Sequence, residues 1–158
     1  MKVLGEFTRR DGAIERRFTK SERKMVGNLA GGLVEVLAGA GELDSYADPV
    51  LTRLLPVAAP TDPEASAEFA SATRERLAEG KAAGARRLMA DLDAAPDGRL
   101  RLDDDAAVMW LKALNDLRLA LAERVGFESL QSTHSPQALI YGWLTWLQGS
   151  LVEALEDA

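Results

Sequence analysis

Two periods of apolar residues divide the chain. In the first eighteen positions Val3, Phe7, Ile14 and Phe18 supply apolar sites on either side of Asp11-Gly12, a favoured two-residue turn, which predicts a β-hairpin over 1–18. From Thr19 the period becomes helical. Thr19-Lys20-Ser21-Glu22 is a capping box with Glu22 at the N3 position. Met25, Leu29, Leu33 and Val36, with Val26 and Leu37 alongside, predict a helix to about Ala38, where Gly-rich AGAGELD ends it. A short helix or turn is expected in DPVLTRLLP. A second capping box, Thr61 with Glu64, opens a long helix from Pro63 to Ala94 with Ala67, Ala70, Leu77, Leu88 and Leu92 inward, and Gly80 and Gly84 as points of bending or division. The alternation of Arg99-Leu100-Arg101-Leu102 after Asp97-Gly98 predicts a short strand against the hairpin. Asp103 to Asp105 open a helix running to Val125, ended by Gly126, and Ser135-Pro136 caps a last helix to about Glu156. The fold expected is mainly α: one domain over 1–158, a bundle of four to five helices in a helical body at 20–156, an N-terminal β-hairpin and room for a third strand.

The helix ending at Val125 contains an anomaly. Trp110, Leu114, Leu121 and Val125 share one face, and Arg118 projects into it with Asn115 at the edge and Asp116 on the polar side. A buried guanidinium needs a partner, because an isolated charge in a core is prohibitively costly. Glu22, in the apolar stripe of the first helix, is the first choice of carboxylate, and Glu68 the second. Such a pair implies that Arg118→Ala costs several kcal/mol. The alternative is Arg118 lining a ligand pocket or an interface.

The last helix is apolar almost all round, with Ile140, Trp143, Leu144, Leu147 and Leu151 on one side and Leu139 and Trp146 flanking. It is therefore central in the core or at a subunit interface, and Trp143 and Trp146 are the candidates for self-association in a homodimer.

Charge changes the picture at one end. The chain has a net charge of −6, which argues against general nucleic-acid binding. Residues 1–24 nevertheless carry a net +4. Arg9, Arg10, Arg16, Arg17, Arg23 and Lys24 form a basic corner suited to an acidic protein partner or a local phosphate, unless they are simply a solvated hairpin. No run of apolar residues is long enough for a membrane span, and MKVLGEFTRR lacks the apolar core of a signal peptide, so a soluble cytoplasmic protein is expected.

Composition narrows the chemistry. There is no cysteine, which removes disulfides, thiolate nucleophiles and Cys-ligated zinc from this chain. The single histidine, His134, sits in the polar loop QSTHSP and reads as a surface residue. No nucleotide-binding, metalloprotease or nucleophile-elbow motif occurs, the three aspartates lack calcium-loop spacing, and no catalytic residue, metal or cofactor is indicated.

DPVLTRLLP, DPEASAEFASATRERLAEGK, RLRLDDDAAVMWLKALNDLRLALAERVG and YGWLTWLQGSLVEAL together resemble the actinobacterial domain-of-unknown-function family 2017, the actinomycete oxidative-stress transcriptional regulator (AosR) family. The resemblance covers nearly the whole chain. It implies a cytoplasmic, mostly helical, non-enzymatic regulator. Such a regulator binds an extracytoplasmic-function sigma factor or RNA polymerase and raises cysteine-synthesis genes under oxidative stress. The family's neighbourhood with a Clp-protease adaptor, a JAMM-type peptidase and a sulfur-carrier cysteine pathway implies the alternative of an adaptor or scaffold in proteolysis or sulfur metabolism. Redox sensing in the family is attributed to a cysteine pair near the N-terminus. Here that region reads Gly5-Glu6-Phe7-Thr8-Arg9, so this chain has no thiol switch of its own. A third reading, an enzyme or ligand sensor built on Arg118 and Asn115, lacks any accompanying catalytic group.

Overall fold

The structure is a computed structural model that describes residues 5–42, 47–55, 63–131 and 135–157, the side chains at 63–67 and 127 aside. Val3, His134, Thr61 and the side chains of Glu64 and Ala67 lie outside the described residues. In chain order the elements are β1 (Thr8–Arg10), β2 (Ala13–Arg17), α1 (Lys20–Ala38), α2 (Pro49–Leu54), α3 (Pro63–Ala94), β3 (Arg99–Leu102), α4 (Asp104–Val125), α5 (Phe127–Gln131) and α6 (Pro136–Glu156). The mainly helical fold with a small N-terminal sheet is the one the residue pattern predicts.

The strands form an antiparallel sheet in the order β1-β2-β3, with Ile14 opposite Leu102 and Arg16 opposite Leu100. Asp11 and Gly12 both take positive φ, the conformation a two-residue hairpin turn demands. The chain comes back to β3 through a second Asp-Gly turn. Gly98 lies at φ +78° with its carbonyl accepting from Phe18 N–H at 2.8 Å. A Cβ there would stand 2.2 Å from the Phe18 carbonyl oxygen, so only glycine fits.

The helix starts follow their capping residues. The Thr19–Glu22 box is reciprocal, the Asp103 carboxylate accepts from Ala106 N–H at 2.8 Å, and the Ser135 hydroxyl from Ala138 N–H at 3.0 Å. Asp48 caps α2 in the same way. Three buried aromatic rings, Phe7, Phe18 and Trp110, meet edge-on or tilted where sheet and helices join. From there one core runs through Val26, Leu33, Leu88, Leu114, Leu144 and Leu147.

Helix α4 lies at the centre, packed against α2, α3 and α6. Its seam with α3 includes a close approach, where a Cβ on Gly84 would touch Ala113 at 3.6 Å, while α3 also buries Ala78, Ala82 and Ala85. Lys81–Asp116 at 2.8 Å and Trp110 Nε1 to Asp91 at 2.8 Å close the two ends of the seam. Gly80 and Gly84 do not divide α3, which is continuous.

Several inward residues differ from expectation. Helix α1 buries Val26, Ala30, Leu33 and Leu37, while Met25, Leu29 and Val36 are half-buried at the edge. Leu77 is 39% exposed and borders the groove between α3 and α4 with Met109 and Lys112. Asp116 is buried rather than on the polar side, because α4 has neighbours on more than one flank.

Gly98→Ala is expected to lower the melting temperature well beyond Gly12→Ala. Gly12 also has positive φ, but a Cβ there meets nothing. Its replacement should cost roughly 1 kcal/mol of backbone strain alone, and the Gly98 change adds a clash with backbone. Equal melting temperatures for the two variants would contradict the role given to the Phe18–Gly98 contact.

Candidate partner-binding surface

The basic corner is sorted by strand geometry. Successive side chains on a strand point to opposite faces. On β2, Ile14 and Arg16 face the core, and Glu15 and Arg17 face out. The same rule turns Arg9 inward and Arg10 outward on β1, and Leu100 and Leu102 inward on β3 with Arg99 and Arg101 outward. The expected contact residues therefore divide into two sets.

Arg16 is only 5% exposed, so it is corrected from surface contact to buried cation. Its Nη1 and Nη2 donate to the two carboxylate oxygens of Glu22 at 3.2 and 3.0 Å, and its Nε donates to the Gly5 carbonyl. The guanidinium lies 4.3 Å from the Phe18 ring centre and within 6 Å of the rings of Trp143 and Trp146 (5.6 and 5.9 Å). The Glu22 carboxylate also accepts from Thr19 N–H at 2.9 Å. One side chain thus caps α1 and neutralises the arginine. Burial would raise the Glu22 pKa. The hydrogen bond from Arg16, the Thr19 N–H and the positive charge of Arg16 outweigh it and hold the carboxyl below its ordinary value.

Glu22 therefore pairs with Arg16, not with Arg118. Arg118 sits on the shoulder of α4, where it donates to Asn115 Oδ1 at 2.9 Å and stacks 5.8 Å from the Tyr141 ring centre. Gln148 Nε2 reaches the same Asn115 oxygen at 3.4 Å. Arg118 is only partly buried, so it does not require a buried carboxylate. Glu68 is exposed on α3.

Arg9 is the second inward residue. It pairs with Asp104 at 2.9 Å and donates to the Ala154 carbonyl at 3.3 Å, fastening β1 to the start of α4 and the end of α6. Phe7 N–H adds a bond to Ser150 Oγ at 3.3 Å. Arg23 is half-buried beside the Gly98 turn. Lys24 is exposed but lies over the groove between α1 and α6, away from the sheet. Trp143 is half-buried against the core, and Trp146 is 36% exposed.

What remains outward is an arginine-rich surface with a small excess of positive charge. Arg10, Arg17, Arg99 and Arg101 all line one cleft of about 770 Å³ on the outer face of the sheet, together with Glu6, Asp11 and Glu15. Glu15 takes up Arg101, whose side chain is still 54% exposed. Arg99 and Arg101 were absent from the basic corner read in sequence. The signal was present, since alternation puts both on the solvent side once Leu100 and Leu102 are inward. Among the described residues no group of three or more acidic or histidine side chains could hold a metal ion, and no helix is long and apolar enough to cross a membrane.

The model of a family described as a domain of unknown function, DUF2017, matches residues 4–155. The chain belongs to the DUF2017 family. Its curated relatives include the putative oxidative stress regulator AosR of Mycobacterium leprae, 36% identical over 77% of this chain and 66% of that protein. The oxidative stress regulators AosR of Mycobacterium tuberculosis and Mycobacterium bovis are each 38% identical over 73% of this chain and 62% of their own length. This DUF2017 chain thus spans somewhat less than two thirds of those relatives. No solved structure matches it.

The two arginines singled out should differ sharply in their effect on stability. Arg16→Ala leaves Glu22 uncompensated and is expected to cost about 3–5 kcal/mol in denaturant unfolding, against about 1 kcal/mol for Arg118→Ala. Equal losses would contradict the burial assigned to Arg16.

The Glu22 carboxyl has a depressed pKa in the folded state, so its contribution is complete above the unfolded value of 4.5 and disappears as pH falls through the lower folded value. Glu22→Gln should flatten the stability–pH curve across that acidic window. An unchanged slope would contradict the pair.

Proposed function

We propose that this protein is a non-enzymatic regulator of the oxidative-stress response that works by binding a protein of the transcription machinery in the cytoplasm. The partner is an extracytoplasmic-function sigma factor or RNA polymerase, and direct nucleic-acid contact is weak or absent. The names of the AosR relatives support the regulatory role. The observation that carries the binding mode is the outer face of the sheet, where Arg10, Arg17, Arg99 and Arg101 outnumber the carboxylates of Glu6, Asp11 and Glu15 in a chain of net charge −6. Such a face steers an acidic protein surface and fixes its orientation on contact. Arginine suits this task because its planar fork meets carboxylates with two hydrogen bonds.

With no cysteine, this chain has no thiol of its own with which to sense oxidants. The alternative, an adaptor or scaffold in Clp-type proteolysis or sulfur-carrier and cysteine metabolism, draws support from the exposed apolar side of α6.

Arg10, Arg17 and Arg99 changed together to Glu should abolish co-purification with the sigma factor or polymerase from stressed cells. All three are exposed, so the melting temperature should barely move. Retained co-purification would remove the arginine face from the reading. Recovery of only proteolytic or sulfur-transfer proteins by the unaltered chain would favour the alternative.

A further inference from the structure

Helix α6 carries no charged residue from Pro136 to Val152. Its inner side is core: Leu144, Leu147 and Leu151 are fully buried. Its outer side should be polar in a lone molecule, yet it presents Leu139 at 64% and Trp146 at 36% exposure beside Gly142 and Gly149. A Cβ on either glycine would meet nothing within 4 Å, so the chain's own packing does not require them. Each mid-helix glycine costs about 1 kcal/mol relative to alanine.

We infer that the outer face of α6 is the contact between two copies of this chain, paired as antiparallel helices. A two-fold axis level with Leu144 sets Gly142 of one copy opposite Trp146 of the other, and Leu139 opposite Gly149. The same operation repeats both fits, as an isologous interface requires. Each bulky side chain then meets the gap left by a glycine, and the backbones approach closely.

Charge selects the antiparallel arrangement independently. The only charges on α6 and its cap are Glu153, Glu156 and Asp157, all at the C-terminal end. A parallel pair would bring the two acidic ends together. The antiparallel pair carries Glu153 to the N-terminal end of the opposite helix near Ser135, where the helix dipole favours an anion. Arg10, Arg17, Arg99 and Arg101 lie on the outer side of the sheet rather than on this helix, so the contact stands or falls apart from the partner proposed above.

The cysteine-free sequence makes the test clean. Light scattering of the purified chain should give twice the mass of one 17.1 kDa chain. Gly149→Glu should return it to the single-chain mass with an unchanged circular dichroism spectrum, because the added side chain projects into open space in one molecule. Thr145→Cys, next to the axis, should form an intermolecular disulfide under mild oxidation. Glu79→Cys, exposed on α3, should not. A monomeric wild-type chain, a dimer that survives Gly149→Glu, or crosslinking at position 79 in preference to 145 would each overturn the inference.

Discussion

A guanidinium withdrawn from water governs the architecture around it. Arg16 sits on a strand of the hairpin, yet its three sets of partners come from three other places. The Gly5 carbonyl lies in the chain leading to β1, the Glu22 carboxylate lies in the first turn of α1, and the indoles of Trp143 and Trp146 lie on α6. Desolvating the charge is tolerable only if all of these arrive together. The pair also disciplines the sheet. Sliding β2 by one residue would expose Arg16, bury Arg17 and separate Ile14 from Leu102, so register is fixed by charge as well as by apolar fit.

The long helices show a different economy. The α3–α4 seam brings Gly84 close to Ala113 and is fastened by polar links between Lys81 and Asp116 and between Asp91 and Trp110. Arg74, buried on α3, reaches the carbonyls of Ala40 and Leu55 and satisfies backbone groups where α1 and α2 finish. Buried cations on this chain therefore serve as fasteners at element ends, the places where backbone hydrogen bonding is incomplete.

Local signals made the elements legible. Capping residues, the two Asp-Gly turns and the switch from alternation to helical spacing are decided by neighbours in sequence, and the boundaries followed them. Pairing was harder, because it is decided by neighbours in space. Arg118 falls on the apolar face of α4 only if the helix has a single buried side. Packing against α2, α3 and α6 moves the buried arc, drawing Asp116 in and leaving Arg118 on the shoulder. Glu22, expected to pair with Arg118, finds its cation six residues away on the hairpin at Arg16. Counting the period of two from Ile14 would have placed Arg16 inward. The contrary assignment came from grouping charges by position in the chain rather than by face. The same grouping omitted Arg99 and Arg101, which are distant in sequence and adjacent in the sheet.

The exposed arginines also act before any partner arrives. A three-stranded sheet has two open edges, and an open edge invites another strand to add to it. Here β1 offers only three residues and β3 four, and Arg10, Arg99 and Arg101 project beside those edges. A second sheet approaching edge-on would meet like charge and too short a ladder to hold it. The molecule is thereby shielded from one common route into amyloid-like aggregates during synthesis and storage.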